Sequence, residues 1–336
     1  MLFQQPAVST ASYPGCRGAI RKALSMRGVS SGAAEIMLKS LAPNTVKQYD
    51  TYLKRWYMYC GTNHIDYFKA SIPEVLAFLT ELCSDGAGYG SINSCKSALV
   101  LLLGNKISSD DRVKRFMKGV FRLNPPQPKY SVTWDPQLVL NHLSKMSPNK
   151  NLSLENLSKK LVTLLAIVTA HRVQTLSLIK LSNIYHYSDK ILIKISDLIK
   201  TSRAGSYQPV LSLPFFKEKP DICPGQALLD YINMTKDIRG GCERLFIAFK
   251  KPHKEITSQT ISRWIKNMLK DSGIDTSIFA SHSTRHASVS AADRLGVNID
   301  VIRKTAGWSG TSKVFAKFYN RPIAPNIDFA RSLVSD

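Results

Sequence analysis

The stretch Asn124-Pro125-Pro126-Gln127-Pro128-Lys129 divides the sequence into two parts of different character. Proline has no backbone N–H, and it also disfavours the helical conformation in the residue before it. Three prolines in four positions therefore predict an extended connection. We place a linker at residues 124–131, and a chain of 336 residues is long enough for about two domains, one on each side of it.

Ahead of the linker, residues 29–123 carry apolar side chains at the spacing of amphipathic helices. Ser71 and Glu74 have the spacing of a capping box, in which each satisfies a backbone donor at the start of a helix. The spacing predicts an all-helical domain. Its five helices are expected to begin near Gly32 (as N-cap), Asn44, Ser71, Ile92 and Asp110. The fifth is expected to bury Val113, Phe116, Met117, Val120 and Phe121.

Residues 1–28 lack sustained periodicity, apart from a possible short helix at 20–26. Residues 1–34 contain no acidic residue, and their basic residues are Arg17, Arg21, Lys22 and Arg27. This pattern predicts a flexible basic arm at 1–28. A mitochondrial presequence has the same composition and is the alternative.

Residues 132–336, after the linker, mix helical patterns with short β-branched stretches. A strand at 183–187, a turn at Ser188-Asp189 and a strand at 191–195 predict one hairpin. Residues 198–202 and 208–213 are candidates for a second hairpin around Ala204-Gly205. The predicted fold class is mainly α with a small antiparallel sheet, an α+β chain.

Charge is the most informative feature of the composition. Lys and Arg number 46 against 24 Asp and Glu, a formal net charge of +22. An excess of this size predicts a polyanionic partner, with nucleic acid favoured over an anionic membrane surface. No apolar run reaches the ~18 residues of a spanning helix, and a long amphipathic helix for the membrane surface is also lacking.

Six cysteines are scattered without any C-x-x-C pair, which favours reduced thiols in an intracellular, non-secreted protein. We expect a nuclear location if the source is eukaryotic and a cytoplasmic one otherwise. Phosphate-binding loops, dinucleotide fingerprints and serine-nucleophile elbows are missing from the sequence, and no acidic pair suggests a two-metal nuclease. We therefore expect no metal and no cofactor.

Cleavage of a phosphodiester without metal needs a cation on the non-bridging oxygens, an in-line nucleophile and an acid for the leaving oxygen. The segment Ser281-His282-Ser283-Thr284-Arg285-His286 places His282 and Arg285 three residues apart. At the start of a helix both lie on nearly one face, beside backbone donors that favour an anion. The alternative is that His282 caps the helix and Arg285 is solvated. His286 is expected to be a core or supporting histidine.

Four further residues, taken one at a time, each have an ordinary structural interpretation. Arg172 follows a strongly apolar helix, where a cation also favours the helix dipole. Lys200 precedes a turn, where lysines are normally solvated. Trp308 is typical of a core and Tyr319 of a half-buried surface.

The order and spacing of Arg172, Lys200, His282, Arg285, Trp308 and Tyr319 resemble the active-site series of the tyrosine recombinases. The segments 170–178, 282–296 and Gly307-Trp308 are similar to the family's two arginine boxes and its Gly-His or Gly-Trp pair. Residues Ser40, Thr45, Tyr49, Trp56 and Cys60, with the 308–322 ending, resemble DIRS-like and crypton-like eukaryotic mobile-element recombinases. Two departures stand out. Thr175 replaces a common acidic residue, and the spacing from Trp308 to Tyr319 is slightly long.

The resemblance implies a helical core-binding domain at 29–123 and a tyrosine-recombinase catalytic domain at 132–336. It implies that Tyr319 attacks the scissile phosphate to form a 3′-phosphotyrosine, while Arg172 and Arg285 hold the non-bridging oxygens. His282 would assist removal of the tyrosine proton, Trp308 would contact the phosphate and Lys200 would protonate the leaving oxygen. Such an enzyme integrates or recombines DNA without metal or ATP.

Double-stranded DNA is the implied partner, and the implied assembly is a homo-oligomer, a tetramer on synapsed DNA. Membrane and metal partners are not expected. Four basic residues recur at helical spacing opposite the apolar stripe of the fifth helix and are candidate DNA contacts: Arg112, Arg115, Lys118 and Arg122. Two alternatives share much of the pattern, a type IB topoisomerase that relaxes DNA and an inactive DNA-binding derivative.

Overall fold

A computed structural model describes residues 12–205, 207–308 and Arg321. The chain separates into two compact units, Met1–Gln127 and Pro128–Asp336. The boundary lies within the proline-rich segment, where the missing donors and the fixed φ angles of proline favour an extended backbone. Each unit has a hydrophobic core of its own.

The N-terminal unit is helical throughout its described part. Its helices are α1 (Gly15–Ser25), α2 (Ser31–Lys39), α3 (Pro43–Thr62), α4 (Ile72–Ser84), α5 (Tyr89–Leu103), α6 (Lys106–Ser109) and α7 (Asp111–Leu123). Trp56 of α3 lies at the centre of the core, fully buried, with its ring 5.1 Å from that of Phe78. Burial of large aromatic and aliphatic side chains from successive helices is what holds such a unit together.

Local signals in the sequence account for most helix ends in this unit. The capping box predicted at Ser71 and Glu74 is present. Helix α2, however, is capped by Ser30, whose side chain accepts from the Ala33 amide, so the prediction of Gly32 as N-cap was wrong. Serine supplies a side-chain acceptor that glycine lacks. Phe121 was also wrongly predicted as buried. It is 48% exposed and packs edge-on against Tyr89 at the rim of a groove.

The prediction of a flexible basic arm at 1–28 was wrong for the described part of that segment. Helix α1 buries Cys16, Ala19, Ile20, Ala23 and Leu24 against the core of the N-terminal unit. Its start is fixed by Asp50, whose carboxylate accepts from the Cys16 amide at 2.7 Å and from the Tyr13 hydroxyl at 3.0 Å. The small side chains in this helix give a weak hydrophobic pattern, although they permit close packing against α3 and α5.

The C-terminal unit combines helices with one small sheet. Its helices are α8 (Pro136–Ser144), α9 (Leu154–Thr169), α10 (Val173–Ser177), α11 (Pro224–Thr235), α12 (Ser258–Asp271), α13 (Ser283–Arg294) and α14 (Ile299–Thr305). Its strands are β1 (Ile184–His186), β2 (Lys190–Lys194) and β3 (Val210–Pro214). Helix α9 is buried along most of its length and contacts α11, α12 and α13, so it forms the centre of the unit.

The sheet is antiparallel with the order β1-β2-β3, and the predicted hairpin at 183–195 is confirmed. The second predicted hairpin was wrong, because β3 pairs with β2 and not with residues 198–202. Ile191 and Ile193 of β2 and Leu211 and Leu213 of β3 are buried at alternate positions, which sets this register. Residues 195–209 therefore form a long connection that carries Lys200.

The predicted fold class, mainly α with a small antiparallel sheet, is confirmed. None of the described helices combines the length and apolar character needed to cross a bilayer.

Candidate active site

The end of α9 positions the first candidate arginine. Ala170 ends the helix with a φ of +50°, in the left-handed region that residues other than Gly, Asn and Asp seldom adopt. This turn redirects the chain so that Arg172 becomes the N-cap of α10, and its carbonyl accepts from the Thr175 amide at 2.8 Å. Arg172 is half-buried. Thr175, where many family members carry an acidic residue, is 2% exposed and supports this turn through its backbone.

Arg285 is buried within α13, with a relative exposure of 1%. Its guanidinium donates to the carbonyl oxygen of Ala170 at 2.5 Å, so it joins α13 to the end of α9. His282 occupies the N-cap position of α13, but its side chain makes no cap hydrogen bond. A solvated Arg285 and a purely capping His282 are therefore both excluded as interpretations.

Trp308 lies against Arg285, whose guanidinium carbon is 4.3 Å from the centre of the indole ring. The preceding Gly307 has a φ of +66°, and a Cβ added there would stand 3.0 Å from the ring of His171. Only glycine combines this backbone conformation with so close an approach. Gly307 thus lets the chain after α14 pass close to the ring of His171. Any larger residue at this position would clash with that ring.

Lys200 lies on the 195–209 connection and is exposed. Its backbone amide donates to the Gln174 side chain on α10 at 3.4 Å, which ties the connection to the helix that Arg172 begins. Ser202 also stabilises the connection, accepting from the Ile199 amide at 2.8 Å. Lys194, a nearby lysine at the end of β2, lies instead over the ring of Tyr185, 4.5 Å away.

An open cleft of about 460 Å³ brings several of these residues together. Its lining residues are Arg172, Val173, Gln174, Lys200, Ser258, Gln259, Ser262, Ser281 and His282. Arg285 is close enough for its charge to act on His282, and Trp308 packs against Arg285, but neither residue lines the cleft. Five of the six predicted site residues are thus assembled in one region, and the sixth, Tyr319, lies outside the described residues.

The pKa values of the three histidines in this region lie well below the usual value for histidine. Burial, together with the nearby positive charges of Arg285, Arg172, Lys129 and Lys200, lowers the pKa of His282 to about 4. Burial likewise lowers the pKa of His171 and of His286 to about 3, assisted by neighbouring positive groups. His282 is therefore neutral near pH 7, the form that accepts a proton.

His286 packs in the interior as predicted for a supporting histidine. It is 6% exposed, and its ring meets those of Tyr130 and His282 edge-on with centroid distances of 5.0 and 5.6 Å. Trp134 donates to the Ser283 hydroxyl at 2.8 Å, which fixes the first turn of α13. These contacts hold the ring of His282 against a rigid support.

Sequence reasoning missed three parts of the site. Ser258 and Gln259 begin α12 at the cleft, and their helix start was predictable although their place beside Arg172 was not. Ser262 and Ser281 share a hydrogen bond of 2.5 Å between their hydroxyls, which joins α12 to the segment before α13. Lys129 acts electrostatically on His282, but it stands among prolines that indicate only a linker.

The candidate DNA contacts on α7 belong to the N-terminal unit. Arg115, Lys118 and Arg122 are exposed along one side of the helix, as predicted. Arg112 differs, because its guanidinium donates to both carboxylate oxygens of Asp110, at 3.1 and 2.8 Å. Its charge is largely offset before any partner arrives.

Within the residues described, no group of three or more His, Cys, Asp or Glu side chains is arranged to hold a metal ion. The polar groups that line the cleft are instead two cations, three hydroxyls, two side-chain amides and an imidazole, with no carboxylate among them, and such a set suits an anion.

Replacing Arg172 by Gln should raise the pKa of His282 and of His171, because removal of a positive neighbour makes protonation of each ring easier. His286 provides an internal control, since its main charged neighbours are His282, Arg321, Arg285 and Lys129. NMR titration of the histidine rings would measure this. Unchanged midpoints for His282 and His171 would show that Arg172 does not act on them.

Comparison with known proteins places this architecture in a family. Among solved structures, a XerH site-specific recombinase bound to a palindromic difH substrate superposes with a TM-score of 0.60 at 11% identity, covering 98% of this chain and 92% of that one. A Tn1549 transposon integrase with transposon right-end DNA gives 0.57 at 17%, covering 95% and 98%. A lambda integrase dimer on a COC′ core site gives 0.55 at 18%, covering 91% and 94%.

These likenesses establish the fold. A search of curated proteins finds no match. The profile of the phage integrase family matches residues 138–323, more than half of the chain, and this span includes every element of the cleft. The chain therefore belongs to the phage integrase family, the tyrosine recombinases.

Proposed function

We propose that this protein is a site-specific DNA recombinase that cuts and rejoins double-stranded DNA through a 3′-phosphotyrosine intermediate. The observation that carries the proposal is the cleft where Arg172 and Lys200 flank a neutral His282, with the buried Arg285 behind them. Membership of the phage integrase family supports the same chemistry.

The first step of the proposed reaction is binding of the scissile phosphate. Arg172 holds the non-bridging oxygens from the lining of the cleft, because a guanidinium matches phosphate geometry and stays charged. The family resemblance assigns the same role to Arg285, which lies buried outside that lining. Arg285 is 1% exposed, so its charge is weakly screened by water and is felt strongly in the cleft. Trp308 packs against that guanidinium and keeps it in place.

In the cleavage step the Tyr319 oxygen attacks phosphorus, and the bond from phosphorus to the 5′-oxygen breaks. His282, neutral at pH 7, accepts the tyrosine proton, and Lys200 donates a proton to the departing 5′-oxygen. Rejoining is the reverse reaction with a new 5′-hydroxyl. The phosphotyrosine bond conserves the energy of the broken one, so the reaction needs no nucleotide cofactor.

Further parts of the proposal rest on the family resemblance. The protein acts as a homo-oligomer, a tetramer on synapsed DNA, and comes from a mobile element of the DIRS-like or crypton-like kind. It works in the nucleus if its source is eukaryotic. The N-terminal unit serves as the core-binding domain. Of the residues that resemble the subgroup there, Trp56 and Cys60 belong to the buried core.

The decisive test is trapping of the covalent intermediate on supercoiled plasmid. The wild-type protein should form protein–DNA adducts in the presence of a chelator, and Tyr319→Phe should form none while binding DNA nearly as well. The change removes only the nucleophilic oxygen. Adducts in Tyr319→Phe would assign the nucleophile elsewhere.

The same experiment distinguishes the alternative functions. Relaxation of the plasmid by the wild-type protein without synapsis of two sites would favour a topoisomerase. DNA binding by the wild-type protein without adducts would favour an inactive derivative.

Lys200→Ala should slow cleavage of an ordinary phosphodiester by roughly a hundredfold or more, the range typical of acid catalysis. A substrate with sulfur at the 5′-bridging position has a leaving group that needs little protonation, so it should restore the rate of this variant. Lys194→Ala is the matched control, because that lysine lies over Tyr185 away from the cleft. Equal defects of Lys200→Ala on both substrates would exclude Lys200 as the acid.

Salt dependence of DNA binding should separate the four basic residues of α7. Each phosphate contact contributes about 0.9 to the slope of log affinity against log salt. Arg115→Ala, Lys118→Ala and Arg122→Ala should each lower the slope by about that amount. Arg112→Ala should change it less, because Asp110 already offsets this charge. Slopes equal to that of the wild type in all four variants would show that α7 does not contact the DNA phosphates.

A further inference from the structure

Lys129 is the second residue of the C-terminal unit, and the residue after it is anchored. The next residue, Tyr130, is 3% exposed, and its hydroxyl accepts from the Ala280 amide at 3.3 Å. Its ring packs against Phe279 and His286, with centroid distances of 5.6 and 5.0 Å. Since consecutive Cα atoms are about 3.8 Å apart, Lys129 is held close to this anchored ring.

The ammonium of Lys129 is connected to the candidate active site through a series of ring contacts. It is 5.4 Å from the centre of the Tyr130 ring, which in turn meets the ring of His286. The positive charge of Lys129 lowers the pKa of both His286 and His282. The ring contacts from Tyr130 through His286 to His282, together with this charge effect, place the lysine near the site, although it does not line the cleft.

The charges that act most strongly on His282 are all positive: Arg285, Arg172, Lys129 and Lys200. The ion pairs of the described residues include none with Lys129. A phosphodiester carries a single negative charge, and Arg172, Arg285 and Lys200 already exceed it. A fourth cation near the cleft, but outside its lining, suits a second phosphate. In a DNA strand the phosphates follow one another every ~3.4 Å along the helix axis.

We propose that Lys129 is a phosphate-binding residue of the catalytic unit, which holds the backbone phosphate next to the scissile one on the same strand. The inference deepens the proposed function and rests on it. Lys129 then fixes the position of the duplex relative to His282 before any bond is broken. A lysine that only covers the Tyr130 ring is the alternative, and it would bind no particular phosphate.

The test uses the full-length protein and short duplexes in which one phosphate near the cleavage position is replaced by a neutral methylphosphonate. In wild type, neutralising the phosphate that Lys129 holds should weaken binding roughly three- to tenfold, the range of a single exposed charge contact. In Lys129→Ala that loss should disappear at one position adjacent to the scissile phosphate. Lys145→Ala, an exposed lysine of the same unit, should keep the wild-type pattern.

The proposal is overturned if Lys129→Ala and wild type lose the same affinity at every methylphosphonate position. It is also overturned if the loss disappears only at the scissile phosphate itself. Failure of the proposed function looks different, because wild type then forms no covalent adduct or does not bind the duplex.

A second readout needs neither DNA nor activity. By NMR titration of the free protein, Lys129→Ala should raise the pKa of His282 and His286, whereas Lys145→Ala should leave both unchanged. Unchanged midpoints in Lys129→Ala would contradict its place beside the site.

Discussion

The buried guanidinium of Arg285 joins three segments that are far apart in sequence. It lies within α13, donates to the carbonyl of Ala170 at the end of α9, and stacks under Trp308 after α14. Burying a cation is costly unless polar or aromatic groups compensate it. The left-handed turn at Ala170 and the close approach at Gly307 are backbone features that place those compensating groups. The geometry of the site therefore depends on this one side chain.

The second constraint is electrostatic. Cations gather around His282, and burial together with their charge keeps its ring neutral. Such a cluster favours an entering anion and disfavours proton uptake while the cleft is empty. In the proposed reaction the phosphate offsets part of this positive field, so the pKa of His282 rises toward its usual range when a proton must be accepted. Substrate binding and base activation are then linked through charge alone.

The remaining positions follow from the rigidity of α9 and α10. Helix α9 is packed on several sides, so the short α10 after it starts from a fixed point. Arg172 caps α10, and Gln174, two residues later, accepts from the backbone of Lys200. One short helix thus sets the spacing between Arg172, the arginine proposed to bind the phosphate, and a lysine carried on a long connection.

Much of the fold and of the candidate site could be predicted from the sequence. The proline-rich stretch, the capping box at Ser71, the hairpin at 183–195 and most helices follow from local rules, because caps, turns and periodicity involve residues close in the chain. The order of Arg172, Lys200, His282, Arg285, Trp308 and Tyr319 indicated the family for a related reason. The motif around each residue is contiguous, even though the residues themselves are distant in sequence.

Other features were decided only by tertiary contacts. The pairing of β3 with β2, the burial of α1, the neutralisation of Arg112 and the place of Lys129 have weak local signals or none. Whether Arg285 is solvated or buried is likewise invisible in H-x-x-R spacing. It is decided by Ala170 and Trp308, which lie 115 positions before it and more than 20 after it. The sequence determines the chemical nature of each side chain. The electrostatic field that shifts the pKa of a side chain comes from groups that only the folded chain brings together.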